Sequence, residues 1–267
     1  MSLDTLLTGG RRSAISVQHF THFHGGRMGK LGIISGTLAL QGKGIFGELT
    51  EEIVETDFGA ALVLHTPRIA LIPRHGKDPR RHILPHRINH AANLTVLKLL
   101  GVDEVIGINS TGSLKKELKP GAIVIPDDYI LLGGGPTIFD ASDSKPVHIT
   151  PILHDGIRQK AIEAARHSGI DIVDSGIYWQ TRGPRLETRA EITLMSRFAD
   201  IVGMTMASEA VIAQELEIPY ASICSVDNFA HGIGEQELTL EGILEHARRN
   251  RETIIQIILK YLEERTQ

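Results

Sequence analysis

The sequence predicts one α/β domain, and three observations carry that prediction. Short apolar runs of strand length alternate with longer segments whose apolar residues recur every three or four positions. No Pro-, Gly- or Ser-rich linker divides the chain. A length of 267 residues, 42% of them hydrophobic, suffices for a single large interior that buries roughly three quarters of the unfolded surface.

Residues 1–29, with clustered His, Gly and Arg, are set apart as an N-terminal extension expected to be poorly ordered; the domain is placed at 30–267. The leader has no apolar stretch followed by a small-residue cleavage site, so no secretory signal is expected. LGII, from Leu31, is the first strand, followed by AALVLH and RIALIP. This run of strands before residue 75 argues against a simple βαβ beginning. INHAANLTVLKLL reads as a helix closed by Gly101 as a C-cap glycine. EVIGIN and AIVIP are strands, and PILHDGIRQKAIEAARHS is a helix ending at Gly169. Then come the strand GIYWQT, the helix ETRAEITLMSRFA, the strand IVGM, the helix MASEAVIAQELE and the strand YASICSV. The segment from Thr239 to Glu264 is a long terminal helix with Thr239 as its N-cap.

Composition excludes several classes. The 28 basic and 32 acidic residues leave a net charge of −4, no broad field for nucleic acid. No run reaches the roughly 18 apolar residues of a membrane span. Cys224 stands alone, so an intrachain disulfide is impossible and a reducing, cytoplasmic setting is expected.

Six segments stand where strands end, the usual place for ligand loops in such folds. GIISGTLALQGKG begins at Gly32 and offers backbone N–H groups and the Thr37 hydroxyl to an anion, or forms a plain turn; it is neither a Walker A loop nor a dinucleotide fingerprint. RHGKDPRRHILPHR holds Arg74, His75, Lys77, Arg80, Arg81, His82, His86 and Arg87. Arginine forks suit phosphate oxygens, and the same arginines would repel a metal cation; a solvated charged loop is the plain alternative. NSTGSL, with Ser110, reads as a small-residue loop that lets a ligand approach backbone, or as a strand-to-helix turn. TRGPRLETRAE puts Glu187 and Arg189 at a helix start, where Glu187 either meets a ligand or favours the helix dipole. In VGMTMASE the two methionines are binding wall or core filler, and in SVDNFAHG Asn228 is a ligand contact or a turn cap.

Taken in order, RHG at 74–76, PHRINHAAN at 85–93, NSTGSL at 109–114, GPRLETRAE at 183–191 and VGMTMASEA at 202–210 resemble the trimeric nucleoside phosphorylases. The resemblance covers about residues 31–260. It implies a mixed sheet bent toward a barrel and flanked by helices, in a homotrimer or a dimer of trimers. It implies orthophosphate as co-substrate among Thr37, Arg74, His75, Ser110 and Thr205, with no metal or organic cofactor. Met204 is then placed at the ribose, Leu186, Glu187 and Asn228 at the purine, and Leu240, Ile243 and Leu244 at the 5′ end; His82 or His86 of a neighbouring subunit is expected near that end. Two departures are visible. The stretch between RHG and PHRIN is about two residues longer than the family's, and DNFA at 227–230 replaces the TDYD-like segment of adenosine-type members, so that Asn228 and Ala230 replace its two aspartates.

The chemistry of these residues points to a 6-oxopurine. An ionised Glu187 only accepts hydrogen bonds, so it suits the N1–H of hypoxanthine and opposes the bare N1 of adenine; Asn228 donates and accepts. One unpaired buried group costs about 1–3 kcal/mol, a ten- to hundredfold preference. An apolar wall at Leu240 and Ile243 favours a 5′-methylthio group. The expected reaction is phosphorolysis of S-methyl-5′-thioinosine to hypoxanthine and 5-methylthioribose 1-phosphate, with Asn228, Glu187, Arg74 and His75 as catalytic residues. The alternatives are inosine/guanosine phosphorolysis, methylthioadenosine phosphorolysis, a nucleoside hydrolase, for which Asp127–Asp128 is the one adjacent Asp pair, and a non-catalytic nucleoside-binding protein.

Overall fold

A computed structural model of the chain describes residues 29–36, 45–139, 148–235 and 239–265. The expectation about the extension over 1–29 falls outside the described residues, Gly29 apart. At the centre lie β1 (Lys30–Ser35) and β5 (Val102–Ser113), buried along most of their length. Each runs between parallel neighbours: β1 between β4 (Ile69–Pro73) and β5, and β5 between β1 and β10 (Tyr220–Phe229). A strand covered on both faces has no polar side to show, hence the continuous runs of Ile, Val and Leu.

The margins are built differently. β2 (Thr50–Thr56) and β3 (Gly59–His65) form an antiparallel hairpin that joins β4. β2 reads TEEIVET and is largely exposed, an edge blunted by charge; it carries no apolar run by which the sequence could announce it. At the far end of β5, Gly112 and Ser113 pair antiparallel with β9 (Ile201–Gly203). β9 continues in parallel to β8 (Ile177–Gln180) and β7 (Asp128–Leu131), while β6 (Ile123–Val124) pairs with β10. The ten strands form one mixed sheet, β2-β3-β4-β1-β5-β9-β8-β7, with β10 and β6 branching from β5. Because β5 serves one set of partners along its length and another at its end, the sheet bends there without closing, as the barrel-like expectation requires.

Helices cover both faces. α1 (His90–Leu99) and α4 (Met206–Glu215) contribute Leu94, Leu97, Ala210 and Ile212 to one buried cluster. α2 (Asp155–His167) and α5 (Leu240–Glu264) bring Ile157, Ala161, Ile254, Ile257 and Tyr261 to the other. α3 (Arg189–Met195) packs Ile192 and Met195 on Trp179. The caps are local: Asn89 accepts from the Ala92 N–H, Thr239 from that of Gly242, and Thr188 and Glu191 form a reciprocal capping box that starts α3 at Arg189. This helix is shorter than the span ETRAEITLMSRFA predicts. Among the described residues no helix is long and apolar enough to cross a membrane.

Two predicted loops are strand. NSTGSL continues β5 through Ser113, and VDNF belongs to β10. Their polar side chains interrupt the apolar pattern because they serve a buried polar network and a cleft rather than a turn.

Candidate active site

The carboxyl-terminal ends of β4, β8 and β9 converge with the later halves of β5 and β10 on a cleft of about 220 Å³. β4 delivers Arg74 and His75, β5 delivers Ser110, the loop after β8 delivers Leu186 and Glu187, and β9 delivers Met204 and Thr205. Asn228 comes from β10 and Ile243 from the first turn of α5. These sequence-predicted residues therefore share one cleft. Leu244 is not among its lining residues, and Thr37 and the side chain of Leu240 lie outside the described residues. Gly36, the residue before Thr37, does line it.

The floor is a buried polar network. Arg74 is 3% exposed and Glu209 fully buried, with Arg74 Nε 2.7 Å from Glu209 Oε1 and Nη2 3.3 Å from Oε2. The remaining guanidinium donors reach Ile34 O at 2.9 Å, Ile108 O at 2.9 Å and Asn109 Oδ1 at 2.8 Å, with a longer approach of 3.3 Å to Thr205 Oγ1. Thr205 donates its hydroxyl to Asn109 Oδ1 at 2.8 Å, and Tyr220 donates its own to Glu209 Oε2 at 2.8 Å. Burial pushes the Glu209 carboxyl up to about 7, against the opposing pull of Arg74 and Tyr220. Gly107 makes this network possible, because a Cβ there would collide with the Tyr220 phenol. Arg74 thus braces the floor through hydrogen bonds from both terminal nitrogens and an ion pair with Glu209, where the sequence presents it only as an anion ligand. α4 begins directly after Thr205, so the positive end of its dipole sits beside the cleft, while its first N–H groups already have acceptors: Met206 N–H donates to Tyr178 Oη and Ser208 N–H to Gln180 Oε1.

On the opposite side Thr181 donates its hydroxyl to Glu187 Oε1 at 2.6 Å, fixing a carboxylate that is 8% exposed. Asn228 reaches the cleft through a bulge. β10 and β5 pair Val226 with Thr111 and Asn228 with Gly112, leaving Asp227 as the extra residue. Asp227 turns into the interior, where Asn250 Nδ2 donates to it at 2.7 Å and Ser225 Oγ at 3.1 Å. Ser110 also hydrogen-bonds this carboxyl, which burial raises above the usual range. Asn228, not Asp227, therefore lines the cleft, and Ala230 lines it two residues on.

The methionines divide. Met204 lines the cleft and Met206 is core. Gly183, at φ +64°, approaches Met204 so closely that a Cβ would come within 2.6 Å of its Sδ. Of the basic side chains in that segment only Arg74 and His75 enter the cleft, with Pro85 beside them; Arg80 pairs with Asp78, and Arg81, His86 and Arg87 are exposed. His82 stacks on His75 of its own chain. The sequence reading missed Glu209, Asn109, Thr181 and Pro85. Glu209 sits in the first turn of α4 and reads as a dipole partner; Asn109 had a signal, a polar side chain at the end of an apolar strand.

Comparison with known proteins agrees with this geometry. Residues 30–263 match the model of the Phosphorylase superfamily. A protein of Archaeoglobus fulgidus named a probable 6-oxopurine nucleoside phosphorylase is 44% identical over 233 residues, spanning 85% of this chain and 93% of its own. A probable S-methyl-5′-thioinosine phosphorylase of Methanocaldococcus jannaschii is 36% identical over 242 residues, 87% and 91% of the two chains. Among solved structures, methylthioadenosine phosphorylase from Schistosoma mansoni in complex with adenine superposes with a TM-score of 0.79 at 26% identity, over 88% of this chain and 91% of that one. With its whole domain matched, and with relatives of this identity over most of both chains, the chain belongs to the Phosphorylase superfamily and is an enzyme of that group.

Proposed function

We propose that the chain phosphorolyses 6-oxopurine nucleosides, with S-methyl-5′-thioinosine as its preferred substrate. The observation that carries this reading is a buried carboxylate and an amide, Glu187 and Asn228, lining the same cleft as His75, Ser110 and Thr205. Glu187 already accepts one hydroxyl and has capacity for the N1–H of a 6-oxopurine. Relatives named for 6-oxopurine or methylthioinosine substrates, at 36–44% identity, support the same choice of base.

In this mechanism the purine leaves as the ribosyl carbon becomes cation-like, and phosphate on the opposite face captures C1′. Asn228 donates to N7 as charge grows there, a contact stronger in the transition state than in the ground state. The start of α4, His75 and the Thr205 hydroxyl orient the anion, Thr205 exchanging its bond to Asn109 for one to phosphate. Arg74 holds that floor and supplies charge from beneath. Ile243 in the cleft wall supports an apolar 5′ substituent. Ordinary inosine or guanosine is the second reading, favoured by the relatives named simply for 6-oxopurines. We read the working form as a homotrimer, which sedimentation analysis tests.

The test is a phosphate-dependent panel of methylthioinosine, methylthioadenosine, inosine, guanosine and adenosine. The expected order places methylthioinosine first and both 6-aminopurines at least about tenfold lower, the loss for one unpaired buried group. Equal use of adenosine and inosine rejects the base assignment. Base release without phosphate rejects phosphorolysis.

A further inference from the structure

His75 is fixed by one hydrogen bond and one stack. Its Nδ1 lies 2.7 Å from the carbonyl oxygen of Ile83, and its ring stacks on His82 with centroids 4.4 Å apart and planes 13° from parallel. A carbonyl oxygen only accepts, so Nδ1 carries the hydrogen of this bond. A neutral imidazole has a single N–H, which leaves Nε2 as a bare acceptor. His75 lines the cleft beside Gly36, and a Cβ on Gly36 would lie 3.7 Å from Cδ2, the ring carbon next to Nε2. No described residue donates to Nε2.

The surroundings oppose a second proton. Burial, the Arg74 charge and His82 pull His75 down to about 4, outweighing the bond to Ile83. His90, buried nearby, is likewise held neutral by burial, Arg74 and His75. Arg74 is the one cation among the described lining residues, and its donors are committed to Glu209 and the floor.

Building on the phosphorolytic reading, we infer that His75 recognises the proton on the incoming anion: its bare Nε2 accepts a hydrogen bond from a P–O–H group. The site then selects hydrogen phosphate over a tetrahedral oxyanion of the same shape that carries no proton at neutral pH. An unprotonated oxygen facing that lone pair is repelled and leaves a partly buried acceptor unpaired. Arsenate, which keeps a proton, passes this filter; sulfate does not. The source of the selectivity is the Ile83 carbonyl, which holds Nδ1 as the donor.

The test measures phosphate-dependent hypoxanthine release by the full chain at pH 7 with sulfate or arsenate added. Arsenate is expected to replace phosphate as co-substrate. The sulfate inhibition constant is expected about tenfold or more above the phosphate KM, the loss for one unpaired acceptor. His75→Asn, whose amide can turn a donor to the anion, is expected to narrow that ratio to within about threefold. Wild-type sulfate inhibition within about threefold of the phosphate KM overturns the inference. Long-range proton–nitrogen NMR correlations on histidine-labelled protein saturated with inorganic phosphate give a check that needs no variant: Nε2 is expected unprotonated, and a protonated Nε2 overturns the inference. Phosphate-dependent turnover with indifferent sulfate binding sinks this inference alone. Absence of any phosphate-dependent turnover sinks the reading beneath it.

Discussion

Above the raised Glu209 value of about 7, where its carboxyl is ionised, Glu209→Gln removes the charge that balances Arg74 while keeping the side chain's size. In the native protein the guanidinium is 3% exposed and faces Glu209 at 2.7 Å, with no solvent to take over when the carboxylate goes. Breaking one partner of a buried pair leaves an uncompensated charge and costs about 3–5 kcal/mol. That is a large share of the roughly 5–15 kcal/mol that holds a domain folded. Urea unfolding, with the midpoint and slope fitted together, measures it: the midpoint falls and the slope stays the same. Tyr220→Phe, which removes only the 2.8 Å donor to Glu209, is the graded control at about 1.5–3 kcal/mol. Inorganic phosphate should raise the melting temperature of Glu209→Gln more than that of the wild type, because the unbalanced guanidinium gains a counter-charge. A Glu209→Gln protein within about 1 kcal/mol of wild type refutes the account. It would mean that Arg74 is free to serve the ligand and that the floor does not depend on the pair.

Three further predictions concern other contacts. Thr181→Val removes the 2.6 Å donor to Glu187 and should lower kcat/KM for inosine-type substrates about tenfold or more while the phosphate KM holds; a change confined to the phosphate KM contradicts it. Gly183→Ala places a methyl group 2.6 Å from Met204 Sδ at a positive φ, so it should raise the nucleoside KM and reduce stability by about 1 kcal/mol or more, read from steady-state kinetics and urea unfolding. His90 is buried and held down to about 3 by burial and the nearby Arg74 and His75. A depressed histidine stabilises the fold above its unfolded value near 6.5 and loses that contribution as pH falls toward the folded value. The wild type should therefore lose roughly 3 kcal/mol between pH 6.5 and pH 4 that His90→Phe does not lose; parallel pH–stability curves for the two proteins contradict this.

What the sequence discloses depends on how local the cause is. α1, α2 and α5 are legible because their apolar periodicity and caps lie within their own residues, as with Thr239 and Gly242. β2 is not, since an exposed edge strand of Thr and Glu has no apolar signature. The residues that reach the cleft were marked by their place at the ends of apolar runs, and the fold brings most of them together. The partner of Arg74 was not marked. Glu209 lies 135 residues away in sequence, and a glutamate in the first turn of a helix has an adequate local explanation. The bulge at Asp227 was hidden for a related reason. Whether Asp227 or Asn228 faces the cleft depends on a one-residue register shift against β5, and on Asn250 of α5 being there to receive the displaced carboxylate.

The same register shift bears on the chemistry. With Asp227 in the cleft, that side would present a further carboxylate, and an acceptor-only group cannot donate to N7 as the purine gathers charge. On the proposed reading, Asn228 there keeps a donor for the leaving group on the base side while Glu187 takes the ring N1–H. The anion side is balanced in a comparable way. An Arg74 unopposed and aimed into the cleft would quench the phosphate charge by direct pairing. Paired instead with Glu209 beneath the floor, it leaves more of that charge to act on the cation-like ribosyl carbon. Electrostatic help in a low-dielectric site is worth most when aimed where charge develops. On the proposed reading, a phosphate held by Thr205 and a neutral His75 beside the start of α4, rather than clamped by a free guanidinium, is positioned to stabilise the ribosyl cation before it bonds to it.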